Sequence, residues 1–462
     1  MHKAILLFSL LCLAAGPASA ALVANGDRTH ERVLDNGMKL IVREDHRAPV
    51  IVSQVWYRIG SSYEYGGITG VSHVLEHMMF QGTPEYPDGE FSRIIAANGG
   101  SENAFTSRDY TAYYQQLEAS RYPVSFELEA DRMRNLLLKQ EDFEKEAQVV
   151  MEERRLRTDD QPNTLTYETF MATAFKASPY RQPVIGWMDD LQHLTIDDLK
   201  RWYVDWYAPN NATLVVVGDV DPEQVFAEAE KHFGPLEPSN ISPPKPRREP
   251  PQQGIRRAEV EAPAQNPVLL MGYKVPVLKS AQESWKPYAL EVLASVLDSG
   301  DSARLTRELV RGQQIAASAG VGYSLYAARD SLLTLSGVPS QGHTVDELEQ
   351  ALLEQVRRLR EQPVEADELE RIKAQVTASK IYQLDSVSYQ ARQIGSLESV
   401  GLGWETAEEY VQKVEAVTPE QVQQMAREYL NADALTIARL NPQPSEPQNR
   451  DTKGASLDAP HD

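Results

Sequence analysis

The sequence predicts an α+β protein: two homologous α/β halves, each a mixed antiparallel sheet packed with helices, joined by a Pro-rich linker in a clam-shell arrangement. Three observations carry that prediction. A capped helix running into an apolar strand over residues 195–217 recurs over 418–440, a spacing of about 220 residues. Between the copies, residues 234–253 hold Pro243-Pro244, Pro246 and Pro250-Pro251 around a basic core at Lys245 to Arg248, the composition of an extended, semi-rigid spacer. The chain of 462 residues is also too long for one ordinary domain.

Taken in order, residues 1–20 read as a secretory signal. Lys3 supplies the charge, residues 4–15 the apolar run, and Ala18-Ser19-Ala20 the cleavage site, so a periplasmic or secreted protein is expected. The only cysteine, Cys12, lies inside that run, which leaves the mature chain without disulfides or thiol chemistry. The first half, residues 21–233, opens with a hairpin around Asn36-Gly37, followed by a strand over 51–57. Helical periodicity fills 91–97, 121–138, 141–157 and 163–175, and residues 178–186 read as an irregular loop. A capped helix over 195–207, a strand over 212–217 and a helix over 222–233 complete this half. The linker is expected over 234–264 and the second half over 265–442, with a strand at 268–273 and a helix at 285–297; the polar residues 443–462 read as a disordered tail. A formal charge of -21 argues against nucleic acid or an anionic membrane as partner. No second apolar run is long enough to span a bilayer.

The chemistry concentrates in Gly70-Val71-Ser72-His73-Val74-Leu75-Glu76-His77-Met78-Met79-Phe80-Gln81-Gly82. With helical period, Val74, Leu75, Met78 and Met79 face inward, and Gly82 followed by Pro84 ends the helix. His73 and His77 then stand at i and i+4 on one face, where two imidazoles can hold one metal ion, and Glu76 lies beside them as a base for a metal-activated water. His-x-x-Glu-His is the inverzincin order. A tetrahedral catalytic zinc needs a third protein ligand. The helix at 143–154 is rich in glutamates, with Glu146 and Glu153 two turns apart.

At this point the chain resembles the pitrilysin, insulin-degrading-enzyme and mitochondrial-processing-peptidase family. In that family a glutamate about 75 residues after the motif completes the zinc site, and a supporting glutamate precedes it by two turns. The resemblance implies Glu153 as third ligand and Glu146 as the carboxylate that orients a ligand, with neighbouring Glu152 competing for the first role. Asn98-Gly99-Gly100-Ser101-Glu102-Asn103-Ala104-Phe105-Thr106 resembles the family's Gly-Gly-x-x-Asn-Ala-x-Thr stretch, which implies that Asn103 and Ala104 lie along a peptide substrate. The same resemblance implies a zinc endopeptidase of the processing-peptidase-like branch, with one zinc per chain. Setting Gly82 against Gly300 places Glu291, Ala294 and Ser295 opposite His73, Glu76 and His77, so the second half is expected to hold no metal.

One departure stands out. Active relatives carry an Arg and a Tyr in a Leu-Arg-x-x-x-Gly-x-x-Tyr pattern, but here Val310 and Ala317 fill those positions, and a shift of one gives Arg311 with Ser318. The resemblance therefore implies a heterodimer in which a related subunit supplies the pair. The alternative is a homodimer using Arg311 or Tyr323, and the competing reading a non-catalytic, structural or peptide-binding member of the fold.

Overall fold

The computed structural model describes residues 28–242 and 244–444. The signal expected over 1–20 lies outside the described residues, as does all of the tail expected over 443–462 except its first two residues, of which Gln443 ends the last strand. Along the first half run β1 (Thr29–Val33), β2 (Lys39–Glu44), β3 (Val50–Tyr57), α1 (Val71–Met78), α2 (Glu90–Ala97), β4 (Ser101–Thr106), β5 (Thr111–Glu118), α3 (Tyr122–Asn135), α4 (Gln140–Arg154), α5 (Pro162–Ala174), α6 (Met188–His193), α7 (Ile196–Trp206), β6 (Ala212–Gly218) and α8 (Pro222–Phe233). The second half runs β7 (Arg256–Pro263), β8 (Val268–Val275), α9 (Trp285–Leu297), β9 (Ala316–Gly322), β10 (Ser331–Pro339), α10 (Val345–Glu361), α11 (Ala366–Gln383), α12 (Val387–Ser399), α13 (Tyr410–Glu415), α14 (Pro419–Tyr429) and β11 (Leu435–Gln443).

The sheet orders are β1-β2-β6-β3-β5-β4 and β7-β11-β8-β10-β9. Without β1 the two orders coincide, with β6 corresponding to β11 and β4 to β9. In each sheet the last strand in sequence inserts parallel to one neighbour and antiparallel to the other. The recurrence seen in the sequence is this insertion. Thr195 with Asp198 and Thr418 with Gln421 form matching capping boxes that start α7 and α14.

Alternation along each strand gives every sheet two apolar faces. Leu40, Val42, Val55, Leu214 and Val216 pack under α1, α3, α4, α7 and α8. Leu269, Met271, Leu335 and Ile437 pack under α9, α10, α11 and α14. The opposite faces are covered by exchange. From the second half, α12 puts Ala391 and Ile394 on Val52, Trp56 and Val215, while from the first, α5 puts Phe170, Met171 and Ala174 on Leu332 and Ala438. At Gly395 of α12 a Cβ would come within 2.0 Å of the Trp56 ring, and at Gly272 of β8 one would come within 2.5 Å of the Phe170 ring. The bulk sits on the sheet in one crossing and on the helix in the other.

The linker expected over 234–264 needs correction at its end. Its described residues lack regular structure only to residue 255, because Arg256–Pro263 pairs parallel with β11 as an outer strand. Its polar outer face, alternating with Val260 and Ala262, suits an edge position that proline richness upstream conceals. Nor does the linker hang free. Glu249 accepts hydrogen bonds from the backbone N–H groups of Lys176, Ala177 and Ser178 and from Lys274 Nζ at 2.8 Å. A second clasp is Asp109, which accepts from the Tyr180 hydroxyl and, across the halves, from the Ala328 N–H at 3.2 Å. Among the described residues no helix is long and apolar enough to cross a membrane.

Candidate metal centre

Helix α1 begins without a capping side chain, because its N-cap is Gly70 at φ 90°. The buried carboxylate of Glu64 substitutes, accepting from the N–H of Gly70 at 2.8 Å and of Ser72 at 2.9 Å. Burial pushes the Glu64 carboxyl up to about 7, against the pull of those two donors. Asp190 holds the turn before it through the N–H and hydroxyl of Thr69. Gly70 also sits against Gly186, where a Cβ on either would meet the other's backbone, so the start of α1 is pressed onto the loop at residues 183–187.

Val71, Val74, Leu75 and Met78 bury one side of α1, which leaves His73, Glu76 and His77 on the other. There α4 packs across. Its Glu153 Oε2 lies 3.7 Å from His73 Nε2 and 3.5 Å from His77 Nε2. Two ligand atoms bound tetrahedrally at about 2.0–2.2 Å stand roughly 3.4 Å apart, so this spacing fits a zinc-sized ion. Among the described residues this is the one group of three His, Cys, Asp or Glu side chains whose ligand atoms converge within 4.8 Å. Burial, with His77 next to it, holds the His73 imidazole down to about 3 and therefore neutral, as a ligand must be.

Glu146, two turns earlier on α4, faces the other side of the same ring. Its carboxylate is 3.1 Å from His77 Nδ1 and also accepts from Gln81 Nε2 at 2.8 Å. Glu152 points elsewhere, pairing with Arg155 in solvent. Glu76 lies on the open side of α1, and its carboxylate accepts the Thr106 hydroxyl of β4. Burial raises its pKa, and the Thr106 bond opposes the rise.

β4 is the edge strand of its sheet, so one side of its backbone is unpaired. Asn103 and Ala104 sit there, and the Asn103 side chain accepts from the Ala104 N–H at 2.8 Å, shielding the edge. Metal group, edge strand and the loop at residues 181–185 surround a cavity of about 730 Å³. Arg108, Arg181 and Tyr167 also line it, and sequence reasoning missed all three. Arg311 and Tyr323 lie elsewhere: Arg311 pairs with Asp301 at 2.8 Å, and the Tyr323 hydroxyl donates to the Pro276 carbonyl at 2.7 Å. Arg154 was missed as well. Its buried guanidinium pairs with Glu168 at 2.8 and 2.9 Å and donates to the Gly186 carbonyl, fixing the end of α4 beside Glu153. Glu64 had one legible signal, since a helix opening on glycine needs an acceptor from somewhere else.

Two sheets of one plan, one of them bearing a His-His-Glu group over an open edge strand, define a two-halved α+β fold with a single potential metal centre among the described residues. Residues 39–187 match the family described as "Insulinase (Peptidase family M16)", and residues 193–376 match "Peptidase M16 inactive domain". The zinc protease PqqE of Helicobacter pylori is 34% identical over 364 residues, 78% of this chain and 81% of that one. A zinc protease of Streptomyces coelicolor is 27% identical over 409 residues, 86% of each chain. The crystal structure of a protease from Helicobacter pylori superposes with a TM-score of 0.85 at 31% identity, covering 90% of this chain and 99% of that one. The chain belongs to peptidase family M16.

Proposed function

We propose that the protein is a zinc-dependent endopeptidase that hydrolyses peptides or unfolded segments, with one zinc held by His73, His77 and Glu153. The observation that carries this reading is the shared cavity, in which the three ligand atoms, the Glu76 carboxylate and an unpaired strand edge face one another. Zinc, when bound, supplies a Lewis acid for the scissile carbonyl and a water acidified towards neutrality. Glu76 takes a proton from the attacking water and hands it to the leaving amine, while Thr106 fixes one oxygen of its carboxylate. Glu146 orients the His77 ring. An extended peptide pairs along β4 once Asn103 releases the Ala104 N–H.

The domain division proposed is 21–233 for the metal-bearing half and 256–443 for the other. The signal-like residues 1–20 make an exported, periplasmic or secreted location part of the same proposal. A related subunit carrying the Arg and Tyr is proposed as partner, which the placement of Arg311 and Tyr323 outside the cavity supports. A non-catalytic role is the competing reading, favoured by that same gap. The deciding experiment measures zinc content and cleavage of a flexible peptide by the wild type and Glu76→Gln, each with and without the related subunit. Cleavage by the wild type, lost in Glu76→Gln at unchanged zinc, supports the peptidase; zinc binding without cleavage in any mixture overturns it.

A further inference from the structure

The second half keeps the place of the metal cavity but fills it with different chemistry. As α1 packs on α4 and β4, so α9 packs on α11 and β9, and α9, α11 and residues 323–326 just after β9 line, with Tyr389 and Tyr410, a second cavity of about 440 Å³. Glu291 of α9 enters it where the sequence alignment sets His73, and Lys380 enters from α11, the counterpart of α4. The two charges do not pair. Glu291 accepts from the Tyr410 hydroxyl at 3.3 Å, while Lys380 donates to the Tyr389 hydroxyl at 2.7 Å. The rings of Tyr326, Tyr389 and Tyr410 lie 5.0–6.0 Å from the ammonium, and the buried Tyr326 hydroxyl has no hydrogen-bond partner among the described residues.

A carboxylate and an ammonium that face one cavity without a direct ion pair, each hydrogen-bonded to a tyrosine hydroxyl, present one ligand with two opposite demands. We propose that this cavity binds a small zwitterion of the amino-acid or short-peptide class, its ammonium towards Glu291 and its carboxylate towards Lys380. The cavity falls in the usual size range for small-ligand sites. Burial pushes the Glu291 carboxyl up to about 7 and the Lys380 ammonium down to about 8, and the attraction each exerts on the other offsets that only in part, which leaves both charges to gain from the counter-charges such a ligand brings. The tyrosine rings flank the ligand's backbone, and the unpaired Tyr326 hydroxyl is available to it.

The test is calorimetric titration of L-alanyl-L-alanine into the zinc-loaded full chain carrying Glu76→Gln, so that no turnover contributes heat. Saturable binding to one site is expected, weakened at least about tenfold by Lys380→Met and by Glu291→Gln. N-acetyl-L-alanyl-L-alanine amide, which lacks both charges, should not bind. Ser295→Leu, which fills the cavity without removing either charge, should abolish binding while the thermal transition stays cooperative, which covers the case where a charge variant misfolds. Absence of saturable binding to the parent protein overturns the proposal. So does binding that survives Ser295→Leu or both charge substitutions, because the dipeptide then sits in the metal cavity. None of these outcomes depends on whether the metal cavity hydrolyses peptides.

Discussion

Helices α1 and α9 stand in the same position over sheets of the same strand order, and they teach opposite lessons about what a fold transmits. On α1 the open face carries His73, Glu76 and His77, met by Glu153. Glu291, Ala294 and Ser295 occupy the aligned positions on α9, with Lys380 across the cavity. The architecture fixes where a cavity forms: between a first helix and a crossing helix, at an edge strand in the first half and at the residues that follow one in the second. It leaves the chemistry to a handful of side chains that the core does not constrain. The same contrast holds at the crossings, where Gly395 accommodates Trp56 and Gly272 accommodates Phe170, one contact solved twice with the bulk on opposite partners.

The comparison breaks most sharply at Glu76. Glu76→Gln should lower the peptidase rate by about 10²–10⁴ with zinc content unchanged, whereas the aligned Ala294→Ser should leave both untouched. Steady-state cleavage with metal analysis checks both. Loss of bound zinc in Glu153→Ala, with full occupancy in Glu152→Ala, would fix the third ligand; the reverse would move it by one residue.

Next in size is the clasp between the halves. Burial works against the Glu249 charge, but Lys274 and three backbone N–H groups outweigh it and hold the carboxyl down to about 2. A carboxylate with a depressed folded pKa contributes its stability in full above the unfolded value, about 4.5, and loses it as pH falls towards 2. Glu249→Gln should therefore cost about 1.5–3 kcal/mol at neutral pH and flatten the acid limb of the stability curve, read by urea melts from pH 7 to pH 3. An unchanged acid limb would remove Glu249 from the interface account.

Glu146→Gln should weaken zinc affinity about 10–100-fold, because the His77 ring loses the carboxylate that orients it. A chelator competition measures this, and unaltered affinity would reduce Glu146 to a partner of Gln81. Gly395→Val should cost about 1–3 kcal/mol through overpacking against the buried Trp56 ring. In a Trp56→Ala background that cost should largely vanish, and a double-mutant cycle without coupling would refute the contact.

Much of the fold was legible in the chain, as was the motif on which the proposed metal site rests. The motif at residues 73–77, the hairpin at Asn36-Gly37 and the paired Thr-capped helices are local patterns, and local patterns survive in sequence because their partners lie within a few residues. The choice of Glu153 over Glu152 rested on resemblance, since nothing in a glutamate-rich helix distinguishes the two; with α4 laid across α1, it is Glu153 that faces the two histidines. Composition misread β7 as linker because an outer strand looks as polar as a spacer.

By itself the sequence determined that the protein has two like halves, that one carries the His-x-x-Glu-His chemistry, and that the other does not. Only the tertiary structure decided how the halves are tied. α5 and α12 cross to the opposite sheets, Asp109 and Glu249 clasp the seam, and Arg108, Arg181 and Tyr167 join the metal cavity. The physical reason is distance along the chain. Helix caps, turns and helical periodicity are set by neighbours a few residues away, whereas these contacts join groups dozens to hundreds of residues apart, whose meeting depends on how apolar faces pack.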